Sequence, residues 1–310
     1  MSCTLISERT EALTPLRRVP TALAARLGFP ESCIVCFKDE TANRGGSSKA
    51  RVARSLIAEG WRSGAITSTT EIVLPSSGST ALAMADETER QHLALRVFLS
   101  EATLASKIAE LQRYPNVHIV KVAGSSEDAR QAADDYVAAA SGRRVWLADQ
   151  YNLPAAVMAH ALTTAPEILK QTEGRVTHTF AGIGTGSTSA ALALVFRPLG
   201  IEVIGVEPKA TKHALVGLKY TPDLPPDLIP LNLRIDLLSD VKFVSDDEAL
   251  AMTRLLVRHG FRFGPSTGAV CVAARDFAAG LDGRAAYFVL IGHDSATHYS
   301  NLFSEEVHHA

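Results

Sequence analysis

Short apolar runs alternate with longer amphipathic stretches along most of the chain. Runs of β-branched and large apolar side chains predict strands at 72–74, 95–99, 117–122, 176–181, 201–206 and 285–291, with a further strand over 32–37. The stretches between them predict helices at 47–59, 80–89, 104–113, 126–140, 155–171 and 188–197. Because strands that alternate with helices are typical of βαβ units, we expect an α/β fold with mostly parallel sheets flanked by helices.

Two later segments carry their own local signals. Ser245 followed by Glu248 forms a capping box, and Gly260 follows the last periodic residue, so a helix is expected between them. Residues 221–240 contain four prolines and predict a long surface loop.

Composition limits the kinds of partner that the chain could have. The 310 residues are 46% hydrophobic and 21% charged, with a formal net charge of -2, which argues against a nucleic-acid or acidic-membrane surface. No apolar run approaches the roughly 18 residues of a membrane helix. Residues 1–20 lack an apolar signal core, so we expect a cytoplasmic enzyme. The length of the chain predicts two domains or one large α/β unit.

The C-x-x-C formed by Cys33 and Cys36 could suggest redox or metal chemistry. It lies in a predicted strand, where residues three apart point to opposite faces. No second C-x-x-C is present to complete a zinc site. Buried structural cysteines are therefore the favoured interpretation, and we expect no metal.

A lysine follows a Gly-Ser stretch within Asn43–Arg51. Ligand-binding residues in open α/β sheets cluster after the strands, and Lys49 would open a helix at such a place. The positive end of the helix dipole would lower its pKa, which suits a Schiff-base lysine. A solvated lysine in a capped first turn is the alternative. The spacing of an NTPase phosphate loop is absent.

Two other strand-to-helix turns have the chemistry of anion sites. One is Pro75–Thr80, whose hydroxyls and backbone N–H groups would fit a carboxylate. The other is Gly182–Thr188, whose glycines let the backbone approach a phosphate. A dinucleotide is also possible there, because Glu207 ends the next strand, although Ser187 stands where the third glycine belongs.

Two C-terminal segments leave alternatives open. Gly264–Gly268 matches the G-x-S-x-G of a serine hydrolase, but the residues before it are too few for a strand, so a helix N-terminus is favoured. After the last strand, either Ser295 or Asp294 could meet a ring nitrogen, or the segment could be an ordinary polar turn.

Taken in order, these five segments resemble the fold-type II pyridoxal-phosphate enzymes, and among them the cysteine synthase and cystathionine β-synthase family. The resemblance covers about residues 37–303. It implies that pyridoxal 5'-phosphate is bound to Lys49 and that Lys49 is the catalytic residue. It implies that the cofactor is bound by Ser79, Gly184, Thr185, Gly186, Ser187, Thr188 and Ser295, and that the substrate carboxylate is bound by Ser76, Ser77, Gly78, Thr80 and Gln150.

The resemblance also implies an organisation and an activity. Residues 1–40 plus 150–310 would form a large cofactor domain, residues 41–149 a small mobile substrate domain, and two chains a homodimer. We expect β-replacement on serine or an O-activated serine by a small nucleophile, through an aminoacrylate. Ser79 replaces the family's asparagine at the cofactor ring hydroxyl, Ala81 replaces a glycine, and Leu228–Leu233 replaces a Gly-rich loop.

These departures leave other functions open. One is β-elimination or deamination of serine or threonine, and another is an inactive cofactor-binding homologue with a regulatory or scaffold role. A nicotinamide-dependent oxidoreductase is the third.

Overall fold

Two sheets with helices on their faces make up the fold of the computed structural model, which describes residues 13–76 and 78–302. The strands are β1 (Leu16–Arg18), β2 (Cys33–Asp39), β3 (Glu71–Ser76), β4 (Ala94–Ser100), β5 (Val117–Val122), β6 (Val145–Leu147), β7 (His178–Gly182), β8 (Glu202–Pro208), β9 (Asp240–Val244) and β10 (Ala286–Gly292). The helices are α1 (Thr21–Arg26), α2 (Lys49–Arg62), α3 (Ser79–Arg90), α4 (Ala105–Leu111), α5 (Ser126–Ala138), α6 (Ala155–Ala161), α7 (Thr164–Gln171), α8 (Ser187–Phe196), α9 (Asp246–Arg258) and α10 (Pro265–Ala279).

The larger sheet has the strand order β1-β2-β10-β7-β8-β9, and the smaller has the order β5-β4-β3-β6. All neighbours are parallel except β1, which pairs antiparallel with β2 at the edge of the larger sheet. Helices supply the crossovers that parallel neighbours require. The expected α/β fold with mostly parallel sheets is therefore confirmed.

Each sheet has a hydrophobic core of its own. On one face of the larger sheet, Phe37, Phe180 and Phe288 of its strands pack against α9 and α10. In the smaller sheet, Leu74 and Val97 pack against α2 and α3. Such strands read as continuous apolar runs because both faces of a parallel sheet are covered. This is why their positions could be predicted.

The differences from the predicted elements are local. The stretch 155–171 forms two helices, because Pro166 has no N–H and its ring crowds the preceding turn. The capping box of Ser245 and Glu248 starts α9 as predicted. Residues 221–240 carry only short 3-10 turns, at 226–228 and 235–237. No helix among the described residues is long and apolar enough to cross a membrane.

The cysteines of β2 are free and buried. Cys33 and Cys36 are 7% and 1% exposed, which agrees with their interpretation as structural residues. Across the described ranges 13–76 and 78–302, no group of His, Cys, Asp or Glu has the arrangement of a metal site.

A buried ion-pair network fixes the start of α2 to β2 and α7. Arg51 donates to both carboxylate oxygens of Glu40, at 2.7 and 3.1 Å, and to both of Glu167, at 2.7 and 2.8 Å. The fully buried ammonium of Lys38 also donates to Glu167, at 2.6 Å. Because the charges neutralise one another, the network can lie in the interior and hold the first turn of α2 in place.

Candidate active site

A cleft lies between the two sheets, where the carboxyl ends of their strands meet. It encloses about 870 Å³, part of which is open to solvent. Its lining comes from the loops after β2, β3, β6, β7, β8 and β10 and from the starts of α5 and α10: Ser47–Lys49, Ser79, Thr80, Ser126, Gln150, Tyr151, Gly182, Gly184–Thr188, Val216–Lys219, Ser266, His293 and Asp294. This is where ligands bind in open α/β sheets.

Lys49 is the first residue of α2 and lines the cleft. The residues before it are tied to the loop after β10: Ser48 donates its N–H to the carbonyl of His293 at 2.8 Å, and Ser47 forms an antiparallel bridge with Asp294. The pKa of Lys49 falls to about 8, mainly because the amine is buried; the negative charge of Asp294 acts against this effect, and the positive charge of Lys107 acts with it. An amine with this pKa is partly neutral at pH 7 and can act as a nucleophile.

His293 connects Lys49 with the loop after β7. Its Nε2 accepts the N–H of Gly182 at 3.1 Å, so its proton lies on Nδ1, which is 3.4 Å from the hydroxyl of Ser48. Burial lowers the pKa of His293 to about 3, and the charge of Lys49 adds to this effect. The imidazole is therefore neutral. Sequence reasoning did not single out His293, although its place directly after the last strand was a usable signal.

The loop between β7 and α8 has the donors of a phosphate site. Gly186, with φ +83°, is the N-cap of the ten-residue helix α8 and has no side chain to cap the first turn, where the N–H of Ser187 makes a long bond of 3.4 Å to the hydroxyl of Thr185. The hydroxyls of Thr185 and Ser187 are 3.1 Å apart, and Thr188 follows them in the lining. Uncapped N–H groups, clustered hydroxyls and the helix dipole suit an anion. All five residues of Gly184–Thr188 line the cleft, and a phosphate site there stays a prediction.

Glu207 does not serve as a ribose acceptor in the cleft. It is fully buried and accepts the N–H and the hydroxyl of Thr221, at 2.9 and 2.6 Å. Its carboxylate is thus engaged in fixing the loop after β8, outside the lining of the cleft. This disfavours the dinucleotide interpretation of the glycine loop.

The loop between β3 and α3 is only partly exposed to the cleft. Thr80 donates to Oε1 of Gln150 at 2.6 Å, and Nε2 of Gln150 donates to the carbonyl of Pro75 at 3.1 Å. Ser76 is buried behind them, where its hydroxyl accepts the N–H groups of Gly78 and Ala81 at 3.0 and 3.1 Å.

Ser79, Thr80 and Gln150 line the cleft, whereas Ser76 and Gly78 shape the turn. Ser77 lies outside the described residues.

In the loop after β10, Asp294 lies in the lining of the cleft and Ser295 does not. The hydroxyl of Ser295 accepts from the N–H and the hydroxyl of Thr297, at 3.3 and 3.1 Å. Asp294 accepts the hydroxyl of Tyr299 at 2.7 Å and lies 3.5 Å from that of Ser266. A cofactor contact by Ser295 therefore stays a prediction.

The Gly264–Gly268 segment begins a helix, as the favoured interpretation expected. Gly264 is the N-cap of α10, and Phe263 before it makes only an isolated bridge, to Ser295. Ser266 has Asp294 as its side-chain partner, not a histidine. A serine nucleophile activated by a histidine is therefore not formed here.

Several residues of the cleft were missed by sequence reasoning. Tyr151 lies between two cations, with Lys219 Nζ 5.2 Å and the Arg130 guanidinium 5.3 Å from its ring centre. Lys219 also pairs with Glu127 at the start of α5. No local pattern marks these residues, because they come from three separate segments.

The donor set as a whole fits a ligand that carries both an aldehyde and a phosphate. Lys49 supplies an amine that is partly neutral, and the start of α8 supplies N–H and hydroxyl donors within the same cleft. Pyridoxal phosphate has these two groups, so the residues present could hold it.

Comparison with known proteins agrees with this geometry. Residues 8–292 match the family model described as pyridoxal-phosphate dependent enzyme. The chain is 31% identical to the cysteine synthase of Helicobacter pylori over 79% of its own length and 82% of that protein. It is also 31% identical to the cysteine synthase of Aquifex aeolicus, over 94% and 90% of the two chains.

Solved structures show the same architecture. The O-acetylserine-dependent cystathionine β-synthase from Helicobacter pylori is 26% identical, with a TM-score of 0.83 over 94% of this chain and 95% of that one. A hydrogen sulfide-producing enzyme from Fusobacterium nucleatum has the same fold, with a TM-score of 0.83 at 24% identity over 92% and 96%. The chain therefore belongs to the pyridoxal-phosphate-dependent enzymes of fold type II, and is similar to the cysteine synthases among them.

Proposed function

We propose that the chain replaces the β-substituent of serine or an O-activated serine with a sulfur nucleophile, using pyridoxal phosphate held by Lys49. The observation that carries the proposal is the partly neutral amine of Lys49 in the same cleft as the donors of Gly184–Thr188. The cysteine synthases and the O-acetylserine-dependent cystathionine β-synthase to which the chain is similar favour an O-acetyl leaving group.

The cofactor and the protein have separate tasks. When bound, pyridoxal phosphate supplies an aldehyde for amines and a ring that withdraws electrons from the α-carbon. Lys49 has two roles in the proposal, first as the anchoring amine and then as the base that takes the α-proton. A pKa of about 8 suits the second role, because an effective base has a pKa near the working pH.

The substrate carboxylate is placed at Thr80 and Gln150 in this proposal. These two side chains are already bonded to each other and to the end of β3, which orients them without the ligand. Such preorganisation lowers the cost of binding. The proposed carboxylate site also includes Ser76, Ser77 and Gly78. The proposed phosphate site includes Ser187 and Thr188.

The segment Leu228–Leu233 supports both proposed sites from behind. Asn232 donates to the carbonyls of Gln150 and Leu153, each at 3.1 Å. A Cβ on Gly186 would lie 2.6 Å from the Cα of Leu233. The replaced loop thus packs against the residues of both proposed sites.

A small domain of residues 41–149 that closes on the substrate is also part of the proposal, as are a homodimer and a cytoplasmic location. Two contacts support a closing surface. Lys219 pairs with Glu127 of α5, and Ser106 of α4 donates to the carbonyl of His298 at 3.3 Å. Both join the four-stranded sheet's helices to segments of the other sheet, at the rim of the cleft.

The test is the visible spectrum of the purified protein with pyridoxal phosphate, followed by turnover of O-acetylserine with sulfide. We expect a yellow protein that makes cysteine, and a loss of at least about 10³-fold in Lys49→Ala, which has neither anchor nor base. Lys121→Ala, at an exposed lysine of β5, serves as the control. Pyruvate released without sulfide would favour β-elimination instead, and a protein that binds the cofactor without any turnover would favour the regulatory alternative.

A further inference from the structure

A second buried lysine approaches the cleft from the smaller sheet. Lys107 lies in α4, and its side chain is 1% exposed. Its stem passes directly behind the turn that starts α3, since a Cβ on Gly78 would lie 2.7 Å from its Cδ. Gly78 has φ +119°, so both the space and the backbone at this turn require glycine.

The ammonium of Lys107 is poorly compensated. Among the described residues its hydrogen-bond partner is Ser79, whose hydroxyl oxygen accepts at 2.7 Å, and Lys107 takes part in no ion pair there. The ring centre of Tyr299 is 5.5 Å away, but the hydroxyl of Tyr299 is donated to Asp294. A buried ammonium has three protons to place, and leaving them without acceptors is costly.

The charged neighbours of Lys107 do not remove this deficit. Burial lowers its pKa, and the negative charges of Asp294 and Glu110 act against that effect from a distance. Asp294 has the same influence on Lys49, so one carboxylate faces two ammonium groups. The adjacent His298 has its pKa lowered by burial and by Lys107, and it adds no negative charge.

Ser79 transmits this positive charge to the cleft. Because its oxygen accepts from Lys107, its own proton is free to be donated, and Ser79 lines the cleft beside Thr80. The N-cap of the twelve-residue helix α3 is Gly78, which has no side chain, and in the first turn the N–H of Ala81 is bonded to Ser76. A ligand oxygen at this point would meet a polarised hydroxyl and the positive end of a helix.

We propose that Lys107, acting through Ser79, makes this end of the cleft a recognition site for a negatively charged oxygen of the bound ligand. Lys107 is a positioning residue, because Ser79 stands between it and the cleft. The inference deepens the proposed function and rests on it. The oxygen has two possible sources, the ring oxygen of pyridoxal phosphate or an acidic β-substituent of the amino acid, such as a phosphate ester.

The test uses Lys107→Met, which keeps the stem and removes the charge, and Lys121→Met as a matched control at an exposed lysine. The dissociation constant and absorption spectrum are measured with pyridoxal phosphate alone at about pH 9.5, where the amine of Lys49 is mostly neutral and the effect of Lys107 on its pKa does not interfere. Dissociation constants of L-serine and O-phospho-L-serine are then measured on the loaded proteins. Unfolding of the cofactor-free proteins is followed in parallel, and Lys107→Met should melt no lower than the wild type, because it removes a buried charge.

The two sources give different results. If the oxygen is on the substrate, the preference for O-phosphoserine over serine falls about tenfold in Lys107→Met, while cofactor binding is unchanged. If the oxygen is on the cofactor ring, the affinity for pyridoxal phosphate falls about tenfold and its absorption band shifts. In that case the preference for O-phosphoserine over serine is unchanged. A purely structural lysine would lower the melting temperature and move neither quantity.

The inference is overturned if Lys107→Met, like Lys121→Met, stays within twofold of the wild type in cofactor affinity, spectrum and substrate preference. That result would leave the proposed function intact. A wild-type protein that takes up no pyridoxal phosphate would overturn both proposals together.

Discussion

The protonation of Lys49 gives a sharp quantitative prediction. Its pKa falls from the ordinary value of 10.5 to about 8, mainly because the amine is buried. At pH 7 about one tenth of an amine with a pKa of 8 is neutral, against roughly 0.03% of an ordinary lysine. The neutral fraction is thus raised about 300-fold, and only this fraction can attack an aldehyde.

The sign of the pH dependence follows from the lone pair. Below the pKa the amine is protonated and cannot react, so the rate of capture of pyridoxal phosphate should rise through about pH 8 and level off above pH 9. Two substitutions should move the midpoint in opposite directions. Lys107→Met removes a positive neighbour and should raise it, whereas Asp294→Asn removes a negative one and should lower it.

The assay is stopped-flow absorbance after mixing cofactor-free protein with pyridoxal phosphate, from pH 6 to pH 10. A free lysine derivative with a blocked α-amine provides the reference, because it corrects for ionisation of the cofactor itself. Lys49→Ala gives the background from other lysines. A midpoint near 10, parallel to the reference amine, would refute the proposed environment of Lys49.

Two further predictions concern stability and the phosphate loop. Glu40→Ala should lower the free energy of unfolding by about 3–5 kcal/mol in urea titrations, because fully buried Glu40 accepts from Thr14 and Arg51. Glu59→Ala, at the half-exposed partner of the exposed Arg62, should leave the free energy of unfolding nearly unchanged, and equal effects of the two substitutions would contradict this account. Gly186→Ala should weaken cofactor binding at least about tenfold, because the new Cβ would lie 2.6 Å from the Cα of Leu233 and the backbone φ is +83°. The control Gly142→Ala, at φ +75° in open space, should have the backbone strain but not the loss of cofactor binding.

Most of the strands that could be predicted from the sequence are buried on both faces, whereas β5 was predicted from its β-branched residues although none of its residues is fully buried. β3, β4, β7, β8 and β10 each contain a run of buried apolar residues, because helices cover both sides of a parallel sheet. β1, β6 and β9 have three to five residues each, and β1 and β9 contain charged side chains. Only their pairing with a neighbouring strand makes them strands, and pairing is not visible in a local pattern.

The local chemistry of the cleft could likewise be predicted. Lys49 after a Gly-Ser stretch and the glycines and hydroxyls of Gly184–Thr188 are short-range patterns, and their backbone conformations are set by those residue types. The five segments in order also indicated the enzyme family, which the comparisons confirm. The roles of individual site residues remain predictions.

The sequence by itself thus determined the fold class and the family, and it predicted the two turns to which an amine and a phosphate site are assigned. Only the tertiary structure decided that Asp294 and not Ser295 lines the cleft, that His293 joins Gly182 to Ser48, and that Lys107 lies behind Ser79. The physical reason is distance along the chain. Periodicity and turn chemistry act over a few residues, whereas Ser79 and Lys107 are 28 positions apart and Gly182 and His293 are 111 apart. Their contacts exist because the order of the strands brings the ends of separate segments to one cleft.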